Sequence, residues 1–130
     1  MLIGLDGQAT IALRSAGQPV PPPVLARGLL DTGTSITSIA ATVLQQLGLA
    51  SSAAGTTQTA SGAVGVNLFT VSLSITDPAQ PGSPWLTQAD LLVMELVTIL
   101  PDADVLIGLD VLLEFKLALD GPGRRFTLVY

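Results

Sequence analysis

Leu29-Leu30-Asp31-Thr32-Gly33-Thr34-Ser35-Ile36 places an acid, three hydroxyls and a glycine between apolar residues. Residues 24 to 30 read as a strand that ends at Asp31. A carboxylate and a glycine at the end of a buried strand do not serve packing, because Asp seeks water and Gly weakens a strand. Asp, Thr, Gly and Ser are also turn formers, so an ordinary turn is the competing reading. The flanking segments separate the two.

On the C-terminal side, Ile39, Val43 and Leu47 fall at i, i+4 and i+8, one apolar stripe of a helix. Ser38 reads as its N-cap and Gly48 as the glycine that ends it. Residues 50 to 63 are small and polar. From residue 66 to 76 the pattern alternates, with Phe69, Val71, Leu73 and Ile75 on one face and Thr70, Ser72, Ser74 and Thr76 on the other. Residues 56 to 60 can pair with the start of that strand as a hairpin around Ser61-Gly62, with nothing bulky to fix its tip. Residues 77 to 88 read as a Pro-containing loop that Trp85 pins to the body. Residues 89 to 97 read as a strand and 100 to 104 as a turn. Val105-Leu106-Ile107 is a short apolar strand running into Gly108, and 110 to 115 a short helix. Residues 116 to 129 close the chain as a hairpin about Asp120-Gly121-Pro122-Gly123. On the N-terminal side, residues 2 to 14 read as a hairpin turning at Asp6-Gly7, and the Pro-rich residues 15 to 23 as a stiff loop.

Length and composition bound the chemistry. The 130 residues suit a single domain, 1–130. An apolar fraction of 48% with only 12% charged residues describes a compact chain with few charges to cover its outside, which hints at apolar surface buried against a partner. A net charge of −5 disfavours nucleic acid, whose phosphates need a basic patch. Cysteine and histidine are absent, so thiolate chemistry, His triads and His metal sites are excluded. Acid–base work falls to carboxylates, Tyr or the single lysine, Lys116; no metal or other cofactor is expected. No apolar run reaches the length of a membrane span, and the N-terminus lacks the basic start of a signal peptide. The compartment stays open.

The order strand–Asp-Thr-Gly-Thr-Ser, helix, Gly-containing hairpin, apolar strand ending in Ile107-Gly108, short helix resembles the retropepsin-like aspartic proteases, the single-domain relatives of pepsin. Asp31-Thr32-Gly33 with Thr34-Ser35 matches that family's Asp-Thr-Gly signature. Val105 to Leu112 looks like its second signature, the apolar-apolar-Gly segment that packs behind the catalytic loop. The resemblance implies a mainly β fold: a closed acid-protease-like barrel with one or two short helices, a single-lobe half of pepsin. It implies Asp31 as the catalytic acid. A single Asp-Thr-Gly then requires a homodimer in which Asp31 of each subunit meets at the two-fold axis. Thr32 would hydrogen-bond across that axis, and Gly33 would admit the substrate backbone. Thr34 would donate its hydroxyl to the carboxylate. Ala60, Ser61, Gly62 and Ala63 would form a flap over a peptide or protein substrate, in a cleft lined by Leu29, Val64, Ile107 and Gly108. The terminal strands, 2 to 5 and 126 to 130, would interleave in the dimer.

This chain departs from the family in places. The flap lacks the aromatic of pepsin-like flaps. Leu109 and Asp110 stand where retroviral members often carry an Arg that pairs with the active-site loop, and Asp110 reads as a helix N-cap. The chemistry implied is aspartic-type peptide hydrolysis, with two carboxylates sharing a proton and activating water, and an optimum below neutrality. The alternative is a non-catalytic dimerisation or peptide-binding module on the same fold.

Overall fold

A computed structural model describes residues 1–59, 61–77 and 80–130. Strand accounts for 48% of the chain and helix for 16%, so the fold is mainly β. In chain order the elements are β1 (Leu2–Leu5), α1 (Gly7–Ser15), β2 (Val24–Leu25), β3 (Gly28–Leu30), β4 (Ser38–Ile39), α2 (Ala41–Gln46), β5 (Ala53–Thr59), β6 (Gly62–Asp77), β7 (Gln80–Glu95), β8 (Val105–Ile107), α3 (Leu109–Leu112), β9 (Lys116–Asp120) and β10 (Arg125–Val129).

The main sheet runs β2-β1-β6-β7-β4-β8-β3, with β5 paired to the first half of β6; among the described residues β9 and β10 pair only with each other. This path is open. Among the described residues the closed barrel expected from the sequence is not found, and there are three short helices instead of one or two. The residues read as one strand, 24 to 30, are divided. Val24 and Leu25 pair with β1, Gly28 to Leu30 pair with β8, and buried Ala26 lies at the division, bonded to the first residue of the chain.

The alternation in β6 carries the core. Phe69, Val71, Leu73 and Ile75 are all buried against Ile3 and Leu5 of β1 and Val93 of β7. Ile39, Val105 and Ile107 extend that core, and α2 and α3 cover it with Val43, Leu44, Val111 and Leu112. Leu73→Ala empties a fully buried site and is expected to lower stability by about 2–5 kcal/mol, read from urea unfolding midpoints.

Several local expectations are corrected. Thr10 to Leu13 is helix, not strand. Asp6 is not a turn residue but the N-cap of α1, its carboxylate accepting from the Ala9 amide at 2.8 Å, and helix-favouring Ala and Leu come after it. Ser38 does not cap α2. It lies in β4, bridging β7 and β8, and the helix starts after Ala40. Gly48 does end that helix, with φ +67°. The segment 77 to 88 is largely strand, because β6 and β7 stay paired to Asp77 and Gln80; the ladder is irregular around Thr76, opposite Pro84.

Candidate active site

Three short strands place Asp31. β3 and β4 are consecutive in the chain but do not pair with each other. β8 lies between them, parallel to β3 and antiparallel to β4. The connection, residues 31–37, must therefore cross the C-terminal end of β8, where Gly108 sits. The ladder ends as the Asp31 amide donates to the Ile107 carbonyl at 3.0 Å. The two motifs read from distant parts of the chain are thus neighbours.

The loop's own chemistry turns it sharply. Asp31 Oδ1 accepts from the Gly33 amide at 2.9 Å, and the Thr34 amide donates to the Asp31 carbonyl at 3.4 Å. A side chain at Gly33 would begin 3.1 Å from that carboxylate oxygen, so glycine keeps the acid uncrowded. Asp31 is half-buried, while Thr32, Gly33 and Ser35 are exposed. The Thr34 hydroxyl does not reach the carboxylate as expected; it donates to the Ile36 carbonyl at 3.1 Å. The donor to Asp31 is a backbone amide.

The second segment holds the loop from behind. The amides of Leu109 and Asp110 donate to the carbonyls of Thr34 and Ser35 at 2.9 and 3.2 Å. Asp110 is not the N-cap of α3, a place taken by Gly108. Its two carboxylate oxygens accept from the amide and hydroxyl of Thr37 at 2.8 and 2.7 Å. The Thr37 oxygen in turn accepts from the Gly108 amide at 3.0 Å. Thr37 is fully buried and Asp110 half-buried, so this polar node reaches from the core toward the surface, and each of these groups has a partner.

No family model, curated protein or solved structure matches this chain. What the residues can do therefore rests on their geometry.

The expected pocket residues divide. Leu29 and Val64 are 51% and 36% exposed and free to meet a ligand. Ile107 and Gly108 are buried, Ile107 in the core and Gly108 under the loop, so neither lines an open cleft. The expected flap is the β5–β6 hairpin. The Thr59 hydroxyl donates to the Gly62 carbonyl at 2.9 Å and accepts from the Ser61 amide at 3.2 Å, and Gly62 adopts φ +118°. Ser61, Gly62, Ala63 and Val64 are exposed; Ala60 lies outside the described residues. Among the described residues, no hydrogen bond joins this tip to the Asp31 loop.

Of the terminal strands, β1 cannot interleave with another copy, since β2 and β6 occupy both its edges. The β9–β10 ribbon is different. Its register puts Leu117, Leu119, Phe126 and Leu128 on one face, with Leu119 and Phe126 exposed; Tyr130, also exposed, meets Phe115 edge-to-face at 5.8 Å. Among the described residues no cluster of three or more His, Cys, Asp or Glu side chains is placed to hold a metal ion. Among them, too, no helix is long and apolar enough to cross a membrane.

Proposed function

We propose that this chain is a retropepsin-like aspartic endopeptidase, active as a homodimer in which the two Asp31 carboxylates meet. One observation carries the reading. Asp31 is presented at the end of a strand, on a turn whose exposed residues are Thr32 and Gly33 and whose back is bonded to residues 107–110. A turn that served packing alone has no need of such support. The exposed apolar face of β9–β10 favours a second copy.

In the dimer, two carboxylates a few ångströms apart do not both ionise and instead share one proton. The charged member takes a proton from a water between them, and that water attacks the scissile carbonyl. The protonated member gives its proton to the carbonyl oxygen. The tetrahedral species then collapses with a proton passed to the leaving amine. The β5–β6 hairpin closes over an extended peptide and keeps bulk water out. Leu29 and Val64 offer it apolar contact.

The test is cleavage of oxidised insulin B chain across pH 3 to 8, at enzyme concentrations spanning the dimer dissociation constant. The expected result is a rate maximum below pH 7 and a specific activity that rises with concentration. Dimerisation without cleavage at any pH assigns the fold to a binding module instead. Cleavage by a chain that sediments as a monomer sinks the shared-carboxylate mechanism.

A further inference from the structure

The loop that carries Asp31 makes its most buried attachment at the far end from the acid. Thr37 has no exposure, and its amide and hydroxyl both donate to Asp110, while its oxygen accepts from the Gly108 amide. A buried hydroxyl has one hydrogen to give and room to accept, and here both capacities are used. The acceptor capacity of Asp110 toward Thr37 is also matched, one oxygen to each donor. The arrangement needs a carboxylate at residue 110 and a hydroxyl at residue 37. An amide at 110 turns one of its two positions into a donor, and one Thr37 hydrogen loses its acceptor. A methyl in place of the Thr37 hydroxyl leaves the Gly108 amide without its acceptor and Asp110 Oδ1 without its donor, while Oδ2 keeps the backbone amide of residue 37.

This node does more than hold β4 to α3. The peptide from Ile36 to Thr37 lies directly against Gly108, and Leu109 and Asp110 bond the carbonyls of Thr34 and Ser35. Residues 34–37 are therefore fixed relative to β8. The free part of the loop shortens to Asp31, Thr32 and Gly33, whose other end is fixed by the Asp31–Ile107 bond. We propose that Asp110 and Thr37 are positioning residues that set where the Asp31 carboxylate stands, acting through the backbone and touching neither substrate nor water. The inference rests on the proposed function for its catalytic readout, but its structural half stands without it.

The experiment compares the wild-type chain with Thr37→Ser, Thr37→Val and Asp110→Asn. Amide hydrogen exchange is followed for every variant, together with cleavage of oxidised insulin B chain. In Thr37→Val and Asp110→Asn the amides of residues 33–37 and 108–110 are expected to exchange at least about tenfold faster, with the β9–β10 ladder unchanged. Their kcat is expected to fall about 10–100-fold with KM held, because a misplaced carboxylate loses attack geometry and not peptide contact. Thr37→Ser keeps the hydroxyl and is expected to behave as wild type in both measurements.

Loop protection unchanged in both disruptive variants overturns the proposal. So does a loss of protection spread evenly over the whole sheet, which marks a merely structural contact. Thr37→Ser as impaired as Thr37→Val shows that the methyl and not the hydroxyl matters, and overturns it as well. If wild-type protein cleaves nothing, the endopeptidase reading fails, while the exchange data still decide whether the node holds the loop.

Discussion

Asp31→Asn is expected to lower kcat for peptide cleavage by about 10²–10⁴-fold or more, leaving the fold in place. An amide is close to a carboxylate in size and its oxygen can still accept from the Gly33 amide, the 2.9 Å bond that turns the loop. Asp31 is half-buried and in no ion pair among the described residues, so the change in unfolding free energy is expected to stay within about 1 kcal/mol. What the amide cannot do is take a proton from water. The variant also tests the dimer. In the proposed dimer each active site needs an acid from both subunits, so a mixed dimer with one Asn would have no shared proton. Equimolar wild-type and Asp31→Asn chains that exchange freely should retain about one quarter of the activity of the same total amount of wild-type chain, as random pairing gives. A retained half means each chain works alone. Undiminished cleavage by the pure variant removes Asp31 from the chemistry.

The residues legible in the sequence are those whose meaning is local. The alternation of Phe69, Val71, Leu73 and Ile75 announces β6, and the apolar run Val105 to Ile107 announces β8. Asp120-Gly121 announces the last hairpin, and Gly48 the end of α2. Sequence and structure part where one signal has two structural uses. Asp-Gly is both a hairpin turn and a helix start, and only the helix-favouring residues after Gly7 decide between them. Ser38 looks like a cap because Ser caps helices, but strand pairing with residues near 94 and 106 claims it first. The prolines between 77 and 88 argue for a loop, yet a long ladder runs on past Pro84 through an irregular register.

The Asp31 turn itself is visible in the sequence, and so is the second motif that packs behind it. The side chains that support the turn are not. Thr37 and Asp110 are 73 residues apart, and neither is unusual in its own neighbourhood. The one available signal is a pair of hydroxyls, Thr37 and Ser38, between Ile36 and Ile39 and an acid two residues after Gly108, all set in apolar surroundings where a polar group needs a partner. The same reasoning corrects Ile107. Ile107 shares with Val105 the face of β8 that points into the core, while Leu106 between them is half-buried, and apolar character alone does not say which face a residue takes.

Gly108→Val is expected to be the most damaging single change at the back of the site, and Gly108→Ala the informative one. Gly108 has φ −84° and ψ −179°, extended backbone that any residue adopts, so its need for glycine is one of space. A Cβ there would stand 2.8 Å from the Ile36 carbonyl carbon and 2.9 Å from the Thr37 nitrogen. Both are backbone atoms of the loop, held by the Thr37–Asp110 bonds, and they cannot rotate aside as a side chain does. The contrast within the same strand pair is Gly28. A Cβ there would meet the tips of Ile107 and Met1 at 2.6 and 2.7 Å, and those are free ends that can move. Gly108→Ala is expected to cost about 1–3 kcal/mol in urea unfolding, as overpacking does, and Gly28→Ala less. Lifting the loop by a fraction of an ångström should also lower kcat by up to about 10²-fold, beyond what the lost stability explains at temperatures where the variant stays folded. Gly108→Val adds two methyl groups at the same point and is expected to separate the loop from β8 or unfold the sheet edge. If Gly108→Ala unfolds at the wild-type midpoint and cleaves at the wild-type rate, the loop does not rest on Gly108, and the support argued for Asp31 from that side is gone.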